Sequence, residues 1–424
     1  MFSQFPQSLV PASAVTAAFL AALLITSALR VWLALRQMRH VAAHRGQVPT
    51  EFAAYIPLAD HQKAADYSIA KTRLFLVELA VDVPLVLVFT LGGLLQWFDD
   101  GLLQAIGSRG YAHGLALFAA FGCAGFAAGL PFALYRTFVL EARFGFNKMT
   151  PALFVADLAK QALLAVAIGG PVLLAVLWLM AAMGERWWLY VWLFWLLFNL
   201  LVLLLYPTLI APLFNKFAPL DDPALKARIE ALLARCGFTA AGLFVMDGSR
   251  RSAHGNAYFT GFGKSRRIVF FDTLLEKLTP AEVEAVLAHE LGHYKCRHVW
   301  KRIGMLAAVS LALLWLLALL MTEPGFYRGL GVSSAGTAMA LILFSLVLPV
   351  FTFPLAPIGS HLSRRHEFEA DAYAARQSAA NELVNALVKL YRDNAATLTP
   401  DPLHSLFHDS HPPASLRIAR LKAT

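Results

Sequence analysis

Charge is what this sequence has little of. Asp, Glu, Lys and Arg make up 15% of its 424 residues, where a soluble globular chain carries about 25%. With 58% of residues hydrophobic, the polar groups are too few to cover a folded surface of this size. That excludes an ordinary soluble enzyme and a disordered chain. Cysteine is scarce as well: Cys123, Cys236 and Cys296 are odd in number, and the first lies inside an apolar stretch. A disulfide scaffold is excluded, and reduced thiols suit a reducing face of a membrane. Residues 1–9 hold no Lys or Arg, so the apolar run that follows lacks the basic start of a cleaved signal peptide. The run is also too long for a signal core and reads as a retained anchor. Internal repeats and low-complexity tracts are absent.

Long apolar runs are what the chain has. Seven stretches, about 10–35, 74–97, 111–138, 152–182, 187–211, 303–321 and 338–358, approach or exceed the roughly 20 residues that cross a bilayer as a helix. The pattern is that of a multi-pass, mostly α membrane protein. Of the 36 Lys and Arg residues, 31 fall at the end of span three, in the loops after spans one, three and five and in the tail after span seven. Lys and Arg favour the cytoplasmic side, which puts the N-terminus outside and the long loop and C-terminus inside. The net charge of +9 suits basic loops beside an anionic leaflet. No basic run is interleaved with aromatics as a nucleic-acid surface would be, so membrane lipid is expected as a partner and nucleic acid is not. Arg outnumbers Lys 24 to 12, which hints at a GC-rich bacterial genome and a bacterial inner membrane.

The organisation expected is five membrane helices over 1–211, a loop module over 212–302, two further spans over 303–358 and a helical tail over 359–424. In the loop module, 224–235 has helical periodicity and 242–247 reads as a strand. Residues 256–262 and 267–272, joined by Gly263-Lys264-Ser265-Arg266, read as a β-hairpin. Thr279, Pro280 and Glu282 form a sharp helix start with a capping box. Without Gly or Pro before Gly304, that helix is expected to continue into span six.

On it sits His289-Glu290-Leu291-Gly292-His293. Residues four apart share a helical face, so His289 and His293 can bind one metal together, and Glu290 lies beside it as a base for bound water. Catalytic zinc takes three protein ligands. After span seven comes Arg364-Arg365-His366-Glu367-Phe368-Glu369-Ala370-Asp371, with Glu367 and Asp371 on one face. Glu367 is the candidate third ligand, with His366 and Glu369 competing, and Asp371 can accept the far N–H of a ligand histidine. One zinc per chain is expected.

These motifs bring a resemblance into view. The chain resembles the type I CAAX prenyl proteases, integral-membrane zinc endopeptidases related to the a-factor converting enzyme. The matching blocks are EARFGFNK (141–148), PTLIAPLFNKF (207–217), GNAYFTGFG (255–263), RIVFFDTLL (267–275), HELGHYK (289–295), SRRHEFEADAYA (363–374) and SHPPASLR (410–417). The resemblance implies seven membrane helices around a chamber, with a small α+β zincin-like module on the cytoplasmic side. It implies Glu367 as third ligand, catalytic roles for Glu290 and Asp371, and a place in the active site for His411 and Arg417. Asn256 is implied beside the bound peptide. Tyr258, on the same expected strand, is a further substrate-binding candidate. The sequence departs from the family at His366 and Glu369, where relatives more often carry an aromatic residue and Gln.

The expected activity is peptide hydrolysis, by resemblance near the C-terminus of prenylated peptides. Quality control of membrane proteins is an alternative with the same chemistry. A rival from another class, an ion-coupled transporter, would use the intramembrane Glu78, Asp82, Asp157 and Lys160. Such residues either line a cavity or pair internally, and both readings stand. Trp187, Trp188, Trp192 and Trp195 are expected as interface anchors.

Overall fold

The structure is a computed structural model that describes residues 10–260 and 267–423. Its first half is helical: α1 (Ala12–Ala43), α2 (Leu58–Phe89), α3 (Leu94–Ile106) and α4 (Tyr111–Tyr135). Then α5 (Pro151–Leu164) and α6 (Gly170–Ala182) join through a π turn, as do α7 (Trp187–Leu205) and α8 (Ala211–Phe214). After the loop module described below come α12 (His298–Met321), α13 (Pro324–Gly329), α14 (Thr337–Thr352) and α15 (Ala356–Gln377), then α16 (Ala380–Asp393), α17 (Pro402–His408) and α18 (Ala414–Lys422). Among the described residues six helical rods are long and apolar enough to cross a membrane, and the pair α2–α3, bent by 49°, makes a seventh. Their outer faces expose Leu197, Leu201, Leu306 and Val309, a surface suited to hydrocarbon rather than water. All seven expected spans are present. The second differs in shape: Gly93 takes φ 79°, a left-handed turn that glycine adopts freely, so its apolar run folds over instead of running straight.

The intramembrane polar residues divide between the two readings. Glu78 meets Arg136 at 2.5 Å, Lys160 donates to the Leu213 carbonyl at 2.7 Å, and Asn199 donates to the Trp195 carbonyl at 2.7 Å. Asp157 lies 3.7 Å from Lys160, but its two oxygens accept from Arg251 at 2.9 and 3.1 Å. Asp82 and Arg30 line a cavity of about 330 Å³ between helices. Trp187 is buried, Trp192 donates to the Ala307 carbonyl at 2.8 Å, and Trp195 is exposed.

The module between spans five and six holds β1 (Phe217–Pro219), α9 (Pro223–Arg235), β2 (Gly242–Met246), β3 (Ala257–Thr260), β4 (Arg267–Phe271), α10 (Asp272–Leu275) and α11 (Pro280–Lys295). The sheet order is β1-β2-β4-β3, with β2 and β4 parallel and the outer pairs antiparallel. Tyr258 stands opposite Val269, and the turn expected at Gly263–Arg266 lies outside the described residues. Helix α9 starts where the Asp222 carboxylate accepts from the Ala224 and Leu225 amides, and α11 starts in the Thr279–Glu282 capping box. Ile229, Leu232, Ile268, Phe270, Leu287, Leu291, Leu387 and Ile418 bury one core between sheet and helices.

One expectation fails in an instructive place. Helix α11 does not run into span six. Arg297 adopts φ 57°, a left-handed conformation that costs a non-glycine residue about 1–2 kcal/mol, and α12 starts afresh at His298. No Gly or Pro signals the break. The continuous connection to the membrane is made instead by span seven, whose helix α14 passes through a short 3₁₀ turn into α15.

Candidate metal centre

Helices α11 and α15 lie against each other across Gly292. A Cβ built there would stand 2.9 Å from Ala370 Cα and 3.0 Å from its carbonyl oxygen, so only glycine lets the two backbones come this close. The approach brings Glu367 to the histidine pair. His289 Nε2 and His293 Nε2 are 3.2 Å apart. Glu367 Oε2 is 3.4 Å from the first and Oε1 is 3.3 Å from the second. One ligand atom from each residue falls within 4.8 Å of the others. His366 and Glu369 lie elsewhere: the first stacks on His298 and the second meets its Nε2.

The cluster fits a cation. Two nitrogens and a carboxylate converge, and Glu367 Oε2 is buried without a hydrogen-bond partner. Burial opposes a charged His289, yet hydrogen bonds to Asp371 and Glu367 raise it to about 9. Burial likewise opposes an ionised Glu367, and hydrogen bonds from His289 and His293 hold it well below the usual carboxylate range. Both shifts reflect the same carboxylate–imidazole contacts, in which a bound metal would take the place of the proton.

Around this centre, Asp371 Oδ1 accepts from His289 Nδ1 at 2.9 Å. Arg417, on α18 and buried, donates through Nε and Nη2 to both Asp371 oxygens at 2.9 and 2.6 Å, and its Nη1 stands 3.6 Å from Glu367. His411 differs: its side chain is 60% exposed, with Nε2 3.5 Å from Glu367 Oε1. Glu290 makes no hydrogen bond or ion pair among the described residues. It lines a cavity of about 650 Å³ together with His289, Glu367, His411, Arg417 and Asn256. Tyr258 does not line it; it borders a separate hollow with Phe244 and Arg267.

Two consequences are measurable. Gly292→Ala is expected to push α15 off α11 and weaken metal binding about 10-fold or more, on the scale of lost support around a ligand, checked by metal content after dialysis. A glycine inside a helix lowers its stability by about 1 kcal/mol relative to alanine, and that oddity within the motif was the signal for a close approach. Arg417→Met leaves Asp371 and Glu367 buried without their cation. It is expected to lower stability by about 3–5 kcal/mol, read as a fall in Tm in detergent.

Comparison with known proteins follows from this geometry. Residues 37–216 match the family described as CAAX prenyl protease N-terminal, five membrane helices, and residues 219–424 match Peptidase family M48. The chain is 36% identical over 403 residues to a CAAX prenyl protease 1 homolog of Arabidopsis thaliana, covering 92% of this chain and 93% of that one. This chain belongs to the M48 family of CAAX prenyl proteases. It is 37% identical over 308 residues to CAAX prenyl protease 1 of Saccharomyces cerevisiae, covering 69% of this chain and 68% of that one. The crystal structure of S. mikatae Ste24p superposes with a TM-score of 0.89 at 31% identity, covering 98% of this chain and 100% of that one. The protein is accordingly a multi-pass membrane zinc endopeptidase with a zincin-like module, and the transporter reading is not favoured.

Proposed function

We propose that this endopeptidase cuts peptides near their C-terminus, prenylated ones by preference, from a site on the cytoplasmic side of the membrane. The carrying observation is the convergence of His289, His293 and Glu367 beside an uncommitted Glu290. The orientation rests on the distribution of Lys and Arg. A bacterial inner membrane rests on the Arg-to-Lys ratio alone, and the relatives named above are eukaryotic.

The residues that would hold zinc are His289, His293 and Glu367. When bound, zinc supplies a Lewis acid for the scissile carbonyl and lowers the pKa of water. Glu290 takes the proton of the attacking water on its carboxylate and hands it to the departing amine. His411, open to the cavity, donates a hydrogen bond to the oxygen that gains charge. Arg417 has both Asp371 oxygens in its grip, so its role is to fix Asp371, and through it the His289 ring, rather than to meet the substrate.

The substrate backbone has a ready partner in β3. Among the described residues β3 pairs only with β4. The Phe271 amide donates to the Asn256 carbonyl, and by antiparallel alternation Tyr258 and Thr260 also turn their amides to β4. The outward-facing amides are therefore those of Ala257, which donates to Asn256 Oδ1 at 2.8 Å, and of Phe259, and Ala257 lines the cavity. Tyr258 would then offer the substrate its side chain and no main-chain donor. Asn256, whose Oδ1 accepts from the Ala257 amide, remains the candidate to fix a substrate carbonyl through Nδ2. Ala257→Pro, which deletes an outward-facing amide and the bond it gives to Asn256 Oδ1, is expected to lower kcat/KM about 10-fold or more, the size of one lost hydrogen bond, with zinc content unchanged. An undiminished kcat/KM would remove β3 from substrate binding.

The test of the whole reading uses purified protein and paired peptides that differ only in an isoprenyl thioether on a cysteine near the C-terminus. Cleavage of the prenylated peptide at least ~10-fold faster is expected, since burying an isoprenoid is worth well over the 1.4 kcal/mol of a tenfold change. Equal rates would point to quality control of membrane proteins instead.

A further inference from the structure

The second nitrogen of His293 leads away from the metal centre into a chain of hydrogen bonds. His293 Nδ1 lies 3.0 Å from Nδ1 of His298, and His298 Nε2 lies 3.0 Å from Glu369 Oε2. His298 is the first residue of α12 and is 2% exposed. The left-handed Arg297 between α11 and α12 starts the new helix one residue before it, and the His366 ring stacks on it at 4.1 Å. Glu369 is held from outside by Arg365 at 3.1 Å and Lys301 at 3.6 Å.

The protons can be assigned from these contacts. Two ring nitrogens 3.0 Å apart need one proton between them. His293 Nε2 faces His289 and Glu367 as a ligand atom, so its proton sits on Nδ1 and is donated to His298 Nδ1. His298 then carries its own proton on Nε2 and donates it to the Glu369 carboxylate. With neutral rings and His293 ligating through Nε2, this assignment satisfies both contacts.

We propose that His298 and Glu369 are positioning residues for the metal centre, a relay that fixes the tautomer and orientation of His293 and strengthens it as a ligand. His289 receives the same support directly from Asp371. His293 receives it one imidazole further out. Ligand histidines backed in this way hold their metal more tightly, and loss of such support weakens binding about 10–100-fold. Cys296 also has a ligand atom within 4.8 Å of those of His298 and Glu369. Both His298 nitrogens are engaged, however, and Glu369 already faces two cations, which argues for a relay rather than a second metal site.

The inference rests on the zinc reading above, and the test separates the two. Zinc affinity is measured by chelator competition, with metal content and Tm, for the full chain and for Glu369→Ala, Glu369→Gln, His298→Ala, the double variant His298→Ala/Glu369→Ala, and Cys296→Ala. The wild type is expected to hold one zinc. Glu369→Ala should weaken it about 10-fold at unchanged Tm, because Glu369 is partly exposed, and His298→Ala about 10–100-fold. Glu369→Gln keeps a carbonyl acceptor and should recover most of the affinity, a comparison that stands even if His298→Ala fails to fold. The double variant should match His298→Ala alone, since Glu369 acts through His298. A wild type that binds no zinc would sink the zinc reading and the relay together. Zinc bound normally by the wild type and equally tightly by Glu369→Ala would sink the relay alone. So would a Glu369 effect that persists without His298, or a second zinc lost in Cys296→Ala.

Discussion

Glu290→Gln is expected to lower kcat about 10²–10⁴-fold, the usual contribution of a general base, while the purified protein keeps its zinc. The reasoning is positional. Glu290 follows His289 by one residue, so it leaves the ligand face of α11 and lines the cavity, where its carboxylate meets no partner among the described residues. Glutamine fills the same space without a basic oxygen. Because the ligand triad is untouched, metal content and Tm should stay at wild-type values. Turnover near wild type in a zinc-loaded variant would mean that another group accepts the proton; His411, facing the same cavity, would be the first to examine.

Glu367→Ala is expected to act one step earlier, by emptying the site. The carboxylate is buried, meets both ligand histidines and leaves Oε2 without a hydrogen-bond partner. Its removal leaves two imidazoles, where a zinc site needs at least three protein ligands, and leaves Arg417 with Asp371 as its sole buried counter-charge. Metal analysis of the purified variant should find less than about a tenth of the wild-type zinc, on the scale of lost metal-site interactions, with hydrolysis lost in proportion. Full occupancy in Glu367→Ala would transfer the third ligand to another residue. His366 and Glu369 are poor substitutes, since both are turned onto His298.

The parts of this architecture that were legible in the sequence are those written in short-range patterns. The spans follow from runs of apolar residues, and the start of α11 from Thr279, Pro280 and Glu282. The pairing of His289 with His293 follows from helical periodicity, and so does the shared face of Glu367 and Asp371. What the sequence hid depends on tertiary contact. The bend between α2 and α3 falls inside a single apolar run, where Gly92-Gly93 marks the place of a turn but not its angle. The break at Arg297 uses a residue with no preference for left-handed backbone, and it is maintained because His298 gains a buried position against His293. The grip of Arg417 on both Asp371 oxygens joins residues 46 positions apart, which no local pattern announces. Gly292 is out of place inside a helix and so signals a close approach, but only the structure shows that its missing Cβ sets the distance to Ala370.

Hydrolysis is proposed to depend on a metal held by His289, His293 and Glu367. The most direct test is cleavage of a labelled peptide by the purified full-length protein, before and after stripping with a chelator and then after stoichiometric zinc. The account predicts that stripping abolishes cleavage, that about one equivalent of zinc per chain restores it, and that zinc fails to restore it in Glu367→Ala. Cleavage that continues unchanged in protein shown by metal analysis to be free of metal would contradict it.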